Sequence, residues 1–262
     1  MNSKVILVLC DGMRSDSVSA CGHPLVPWVL ENGSVTLNAR TIMPSITLPC
    51  IMSLFHSTGP EKHGVFTLKY APSLHPVEGL FERLSGVGKR CAIYYDWEEL
   101  CDLYRPGSVG TGTVPISSFL SGGVFGYGNC DRINTRRMLE ELKEYQPDFV
   151  FHYLGDPDHK GHTKGWMSEE YLQSVHQSWQ LIETIWKTAG QDYVILVMAD
   201  HGGHDHTHGA DIPADMCIPI LCFGTGISAR KLENASILDI APTIASLMGV
   251  APSPLWEGKA LL

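Results

Sequence analysis

The sequence predicts an α/β fold: a largely parallel central sheet with helices on both faces and a functional site at the carboxyl-terminal edge of its strands. Three observations carry that expectation. Short runs, apolar at nearly every position, recur at residues 5–9, Cys91–Tyr95, Phe149–Leu154, Tyr193–Met198 and 218–223, as suits strands buried on both faces of a parallel sheet. Stretches with helical periodicity lie between them, so the connections are crossovers. The first four runs each lead into acidic residues, at Asp11, Asp96, Asp156 with Asp158, and Asp200-His201.

The elements follow in chain order. Residues 5–9 come after Met1-Asn2-Ser3-Lys4 and look like the start of a secretory leader, but they run straight into Cys10-Asp11-Gly12 without a small-residue cleavage site, so they read as a strand. Val77, Leu80, Phe81 and Leu84 put a helix over 76–84. Residues 105–129 contain Gly122-Gly123 and Gly126-Tyr127-Gly128 and few charges, and read as a long surface loop or a substrate-covering insertion. Met138, Leu139 and Leu142 mark a helix over 134–145, and a longer apolar stripe over 168–188 ends near Gly190. With no repeat and no linker, residues 1–262 are expected to form one catalytic-sized domain with a Gly-rich inserted lobe around 96–130.

The charge balance excludes some functions. Lys+Arg 19 against Asp+Glu 28 gives a net charge of −9, so the broad electropositive surface needed to grip nucleic acid or an anionic membrane is not expected. No apolar run approaches the roughly 20 residues of a spanning helix. The eight cysteines include no C-x-x-C pair; they read as free thiols of a reducing compartment, and a cytoplasmic location is expected.

In open α/β sheets ligands bind beyond the carboxyl ends of the strands. Asp11, Asp158 and Asp200-His201 all belong there, joined by His162, four residues after Asp158, and by the loop His204-Asp205-His206-Thr207-His208. Each has a plainer reading, since a lone Asp after a strand usually caps a helix and a lone His usually packs in a core. Their convergence at one edge favours a metal site. Carboxylates and imidazoles suit zinc, ahead of manganese or iron. One ion takes three or four such ligands and here there are at least six, so two ions roughly 4 Å apart are expected, as in sites that clamp the attacking and leaving oxygens of phosphoryl transfer.

These motifs, in this order, resemble the alkaline phosphatase superfamily, and within it the nucleotide pyrophosphatase/phosphodiesterase-like branch. The resemblance starts with Leu9-Cys10-Asp11-Gly12-Met13-Arg14 and Pro44-Ser45-Ile46-Thr47-Leu48-Pro49, and continues with Ser57-Thr58-Gly59-Pro60-Glu61-Lys62-His63-Gly64. It ends with Asp156-Pro157-Asp158-His159-Lys160-Gly161-His162, Ala199-Asp200-His201-Gly202-Gly203, Thr207-His208-Gly209 and Asp239-Ile240-Ala241-Pro242-Thr243. It implies two zinc ions, one held by Asp158, His162 and His208, the other by Asp11, Thr47, Asp200 and His201. His204 and His206 remain alternatives to His208. Thr47 is implied as the metal-activated nucleophile, at a helix start where backbone N–H groups suit a phosphoryl oxygen.

The implied activity is hydrolysis of a small-molecule phosphate ester, of the phosphodiesterase or nucleotide pyrophosphatase type, through a phospho-Thr47 intermediate. A phosphomonoesterase, a phosphonate hydrolase and a phosphosugar mutase share the same core, and a non-catalytic metal- or phosphoester-binding domain is the reading from a different class. Two departures bear on the choice. The branch has an Asn shortly after the nucleophile, where this chain reads Leu48-Pro49-Cys50-Ile51, and the sulfatase signature is absent. Trp97, Tyr104 and Tyr127 are the expected substrate-binding residues, on a wall formed by the Gly-rich lobe, facing a flat leaving group.

Overall fold

The computed structural model describes residues 2–69, 71, 77–104 and 114–262. Strands β1 (Lys4–Cys10), β2 (Ser34–Arg40), β3 (Cys91–Tyr95), β4 (Ile116–Phe119), β5 (Phe149–Leu154), β6 (Tyr193–Met198), β7 (Cys217–Gly224) and β8 (Arg230–Lys231) form one open sheet in the order β4-β3-β5-β1-β6-β7-β2-β8. All neighbouring pairs are parallel except those of β7, which runs antiparallel to both β6 and β2.

Two helical layers cover the sheet. One contains α3 (Thr47–His56), α5 (Leu80–Ser85) and α11 (Ile240–Leu247), with the short α4 (Pro60–His63) beside α3. The other contains α1 (Ser15–Ala20), α2 (Leu25–Asn32), α7 (Tyr127–Tyr145), α8 (Asp156–Lys164) and α9 (Glu169–Ala189), with the short α6 (Gly122–Phe125) beside α7. Alternation along β5 shows the two faces. Phe151 packs edge-on against Phe55 of α3 at 5.0 Å and Phe149 against Phe81 of α5 at 5.5 Å. His152, between them, points the other way and meets Thr135 of α7 at 2.8 Å. Period-two alternation of this kind is what a strand imposes, and every residue of β5 and β6 is buried.

Register places the site. Cys10 of β1 pairs with Leu154 of β5, and Leu9 pairs with Met198 of β6. The three central strands therefore end side by side, and Asp11, the Gly155–Asp158 turn and Asp200-His201 leave the sheet together.

The structure departs from the sequence reading in four places. The run at 218–223, expected as one more parallel strand, is the antiparallel β7. The connection before it stays at the carboxyl-terminal edge with only the four-residue α10 (Pro213–Met216), so the chain re-enters the sheet from the edge it left; a parallel neighbour needs a crossover. The segment of Pro157 and Gly161, read as a tight loop, is the helix α8. Pro157 sits in the first turn, where its missing N–H costs nothing. Within the expected surface loop, β4 adds to the sheet edge and α7 begins at Tyr127, seven residues earlier than the helix read from 134. Strand β2 has no apolar run to announce it, because much of it is only partly buried. Among the described residues the cysteines form no disulfide, and no helix is long and apolar enough to cross a membrane.

Candidate metal centre

Two groups of ligand-type side chains converge at the strand ends. Asp11, Asp200 and His201 form one, Asp158, His162 and His208 the other, with the ligand atoms within 4.8 Å of one another in each. His201 Nε2 lies 3.3 Å from Asp11 Oδ1, 3.3 Å from Asp200 Oδ2 and 3.1 Å from Thr47 Oγ1. In the second group Asp158 Oδ2 is 3.5 Å from His162 Nε2, and its Oδ1 is 3.7 Å from His208 Nε2. The His201 and His208 rings stack with centroids 3.8 Å apart, so the two groups adjoin.

Local sequence explains each placement. Asp158 and His162 are four apart on α8 and share one helix face. Gly12, with φ +64°, lets the β1 loop run tight against α8; a Cβ there would lie 3.0 Å from Asp158 Oδ1. Gly161 and Gly203 both make room for Trp166, whose indole Nε1–H donates to the Gly12 carbonyl at 3.0 Å. Thr47 opens α3 after an extended Ile46, and Pro49 occupies a first-turn position whose N–H would have no helical partner.

The hydrogen bonds around the site use one atom of each side chain and leave another without a donor. His201 Nδ1–H donates to the Gly202 carbonyl at 2.8 Å, His208 Nδ1–H to the Ser45 carbonyl at 3.0 Å, and His162 Nδ1–H to the His206 carbonyl at 2.9 Å. A carbonyl only accepts, so each ring carries a proton on Nδ1 and, in its neutral form, presents an Nε2 lone pair to the site. The carboxylates behave likewise. Asp200 Oδ1 accepts from the Gly12 N–H at 3.2 Å, and Asp11 Oδ2 from the Tyr153 hydroxyl. Asp11 Oδ1, Asp200 Oδ2 and Asp158 Oδ1 are buried and have no hydrogen-bond partner.

Buried, unpartnered acceptors are costly unless a cation meets them. Protons are the only other remedy. Burial, reinforced by Asp158, pushes the Asp200 carboxyl up to about 7, and burial with neighbouring carboxylates raises Asp11 and Asp158 well above the usual range. Burial and the neighbouring His201 hold the His208 imidazole down to about 2, so it stays a neutral ligand. Nitrogen and oxygen donors with these orphaned lone pairs fit divalent cations of the zinc type.

The remaining candidates sort clearly. His206 Nδ1–H donates to the His162 carbonyl at 3.0 Å, and His204 Nδ1–H to the buried Asp215 at 2.8 Å; both brace the histidine loop, and His208 is the one beside Asp158. Cys50, at the place where the branch has Asn, turns away to Thr41 Oγ1 at 3.2 Å. Trp97 and Tyr127 line a cavity of about 170 Å³ together with Thr47, Asp11, Asp158, His162 and His208. Tyr104 ends a 3-10 turn, Glu98–Tyr104, and its side chain lies outside the described residues. Three wall residues escaped the sequence reading. Tyr153 sits inside an apolar run, His159 is stacked on Tyr127 at 5.0 Å, and Leu68 comes from a loop with no motif.

Residues 5–77 match the type I phosphodiesterase / nucleotide pyrophosphatase family, and residues 129–252 the metalloenzyme superfamily. The chain is 28% identical over 135 residues to the 2,3-bisphosphoglycerate-independent phosphoglycerate mutase of Desulforudis audaxviator, covering 49% of this chain and 26% of the mutase. It is 25% identical over 218 residues to mouse ectonucleotide pyrophosphatase/phosphodiesterase family member 1, covering 75% of this chain and 24% of that protein. The chain thus spans about a quarter of the length of these relatives. Mouse ectonucleotide pyrophosphatase/phosphodiesterase 5, solved as an inactive threonine-to-alanine variant with AMP, superposes with TM-score 0.75 at 14% identity, covering 96% of each chain. A Vibrio parahaemolyticus protein of the alkaline phosphatase superfamily superposes with TM-score 0.73 at 17% identity, covering 99% of this chain and 69% of that one. At such identities the superpositions speak to fold; the sequence matches at both ends of the site speak to descent. The fold is that of the alkaline phosphatase superfamily, the N-terminal part of the chain matches the type I phosphodiesterase / nucleotide pyrophosphatase family, and its C-terminal half matches the metalloenzyme superfamily.

Proposed function

We propose that the chain hydrolyses phosphate esters, of the phosphodiesterase or nucleotide pyrophosphatase type, with Thr47 as nucleophile. The observation that carries this is the position of the Thr47 hydroxyl. It lies at a helix start, 3.1 Å from His201 Nε2, and lines the same cavity as Asp11, Asp158, His162 and His208. Asp11, Thr47, Asp200 and His201 would hold one divalent cation, and Asp158, His162 and His208 a second. When bound, such ions lower the pKa of coordinated hydroxyls and neutralise phosphoryl charge. Thr47 Oγ forms a bond to phosphorus as the ester P–O bond breaks and the alcohol leaves; water then cleaves the phospho-Thr47 ester and releases phosphate or a monoester. The Nδ1–H bonds of the three histidines and the Tyr153–Asp11 bond keep the site rigid through both steps. The inactive threonine-to-alanine variant of the mouse relative supports the same role for Thr47 here.

The wall favours an uncharged, flat substituent. Trp97, Tyr127 and Leu68 are apolar or aromatic, and no Lys or Arg is among the described residues lining the cavity. A substrate with a second anionic group, as in the mutase relatives, would find no cationic side chain among the described residues of the wall. Turnover of an aryl phosphodiester against the matching aryl phosphate, with and without chelator, tests the proposal. Faster diester turnover that disappears on chelation is expected. Absence of turnover of both by metal-loaded protein would contradict it, and a preference for the monoester would reassign the chain as a phosphatase.

A further inference from the structure

We infer that Asp96 and Asp131 act as one buried acid–carboxylate pair that positions the turn carrying Asp158 and fixes its distance from Tyr127. The role of Asp158 and Tyr127 in this inference rests on the function proposed above. Behind the metal-ligand cluster lies a second layer of acidic side chains, Asp96, Asp131 and Asp156, from the end of β3, the first turns of α7 and the start of α8. All three are buried, and none forms an ion pair with Lys or Arg among the described residues.

Hydrogen bonds divide the roles. Asp131 Oδ1 accepts from the Gly155 N–H at 3.1 Å and Asp131 Oδ2 from the Asp156 N–H at 3.3 Å. Both oxygens are thus acceptors, as a carboxylate requires. The Asp96 carboxyl reaches the same Gly155, its Oδ1 2.7 Å from where a Cβ would lie, and faces Asp131; it is wholly buried and has no donor for either oxygen. Two facing carboxylates without a counter-charge would repel; a proton on Asp96 turns it into a donor to Asp131 and satisfies both. Burial and then the Asp131 charge raise the Asp96 carboxyl well above the usual range, in agreement.

The pair sits at a junction. Asp156 Oδ1 accepts from the Gly128 N–H at 3.1 Å, so bonds run in both directions between the α7 start and the turn before α8. The Tyr127 ring packs against Gly155, where a Cβ would lie 2.7 Å away, and stacks on His159. The Asp96 carbonyl accepts from the Gly122 N–H at 2.7 Å, tying in the Gly-rich segment. One frame therefore holds the aromatic wall and the Asp158 carboxylate.

Three variants test this, read by zinc retention of the intact, zinc-loaded protein against graded chelator and by thermal unfolding, neither of which depends on turnover. Asp96→Asn keeps an N–H donor toward Asp131 and is expected to retain zinc within about threefold of wild type. Asp96→Ala and Asp131→Asn, the latter facing an N–H with its own NH₂, are expected to weaken retention of one ion by roughly 10- to 100-fold, the range for groups that orient metal ligands. Should Asp131→Asn not fold, the Asp96 variants decide alone. Asp96→Asn failing as badly as Asp96→Ala would overturn the pair and indicate a required charge at Asp96, and full retention by Asp131→Asn would overturn the positioning role. Because zinc retention is the readout, loss of the pair is distinguishable from failure of the hydrolase reading, which shows in turnover.

Discussion

At the scale of single residues, the site depends on which histidine nitrogen is free. His208 and His206 are two apart in sequence but play different parts. His208 gives its Nδ1–H to Ser45 and turns Nε2 to Asp158, whereas His206 gives its Nδ1–H to the carbonyl of His162 and is exposed. On the proposed two-ion site, His208→Ala is therefore expected to remove one of the two metal ions and lower turnover by at least about 100-fold. His206→Ala loses only an orienting contact and is expected to cost about tenfold or less. Metal analysis and steady-state kinetics of the two variants check this, and equal losses would contradict it. Sequence alone left the choice open, since H-x-H-x-H spacing does not say which ring turns inward. The role proposed for Thr47 came only through the resemblance; without it, a Thr before Leu48-Pro49 reads as an ordinary helix start. Tyr153 was hidden because a tyrosine inside a buried run looks like core, and its bond to Asp11 is a tertiary fact.

At the scale of elements, the sequence was informative where a buried strand ended in a charge. Strands β1, β5 and β6 were legible because continuous apolar runs have few alternatives in a parallel sheet, and the acidic residues after them marked the edge where the ligand-type side chains gather. It was uninformative where an element borrows its stability from neighbours. Strand β2 is half-polar and lies near the sheet edge, and β4 follows a Gly-rich stretch that no local rule reads as strand. Helix α8 looked like a loop because Pro157 and Gly161 are poor helix residues. Pro157 is harmless in the first turn, and Gly161 is required by Trp166, whose ring would lie 2.4 Å from a Cβ. The direction of β7 depended on how the histidine loop returns to the sheet, which no periodicity encodes. The Asp96–Asp131 contact joins residues of two elements with no shared motif, so it too was out of reach of sequence reasoning.

At the scale of the whole molecule, the core carries a titration separate from the metal site. His152 is fully buried between β3 and α7, donates Nε2–H to Thr135, and is held neutral by burial, its imidazole down to about 3. In the unfolded chain it takes up a proton near its ordinary 6.5. Between about 3 and 6.5 the unfolded state thus binds more protons, so stability rises with pH across this window and is lost as pH falls. Replacing His152 with Leu removes one such group, and the slope of unfolding free energy against pH near pH 5 is expected to drop by about one proton, ~1.4 kcal/mol per pH unit. Denaturant unfolding of both proteins at several pH values checks this; an unchanged slope would contradict it. The central claim, attack by Thr47, has a more direct test. Metal-loaded protein is mixed with an aryl phosphodiester or aryl phosphate, quenched in acid during turnover, digested and analysed by mass spectrometry. One phosphoryl or phosphoryl-ester adduct is expected on the peptide containing Thr47, absent from Thr47→Ala protein and from chelator-treated protein. Rapid turnover with no modified peptide, or with the adduct on another residue, would contradict the account.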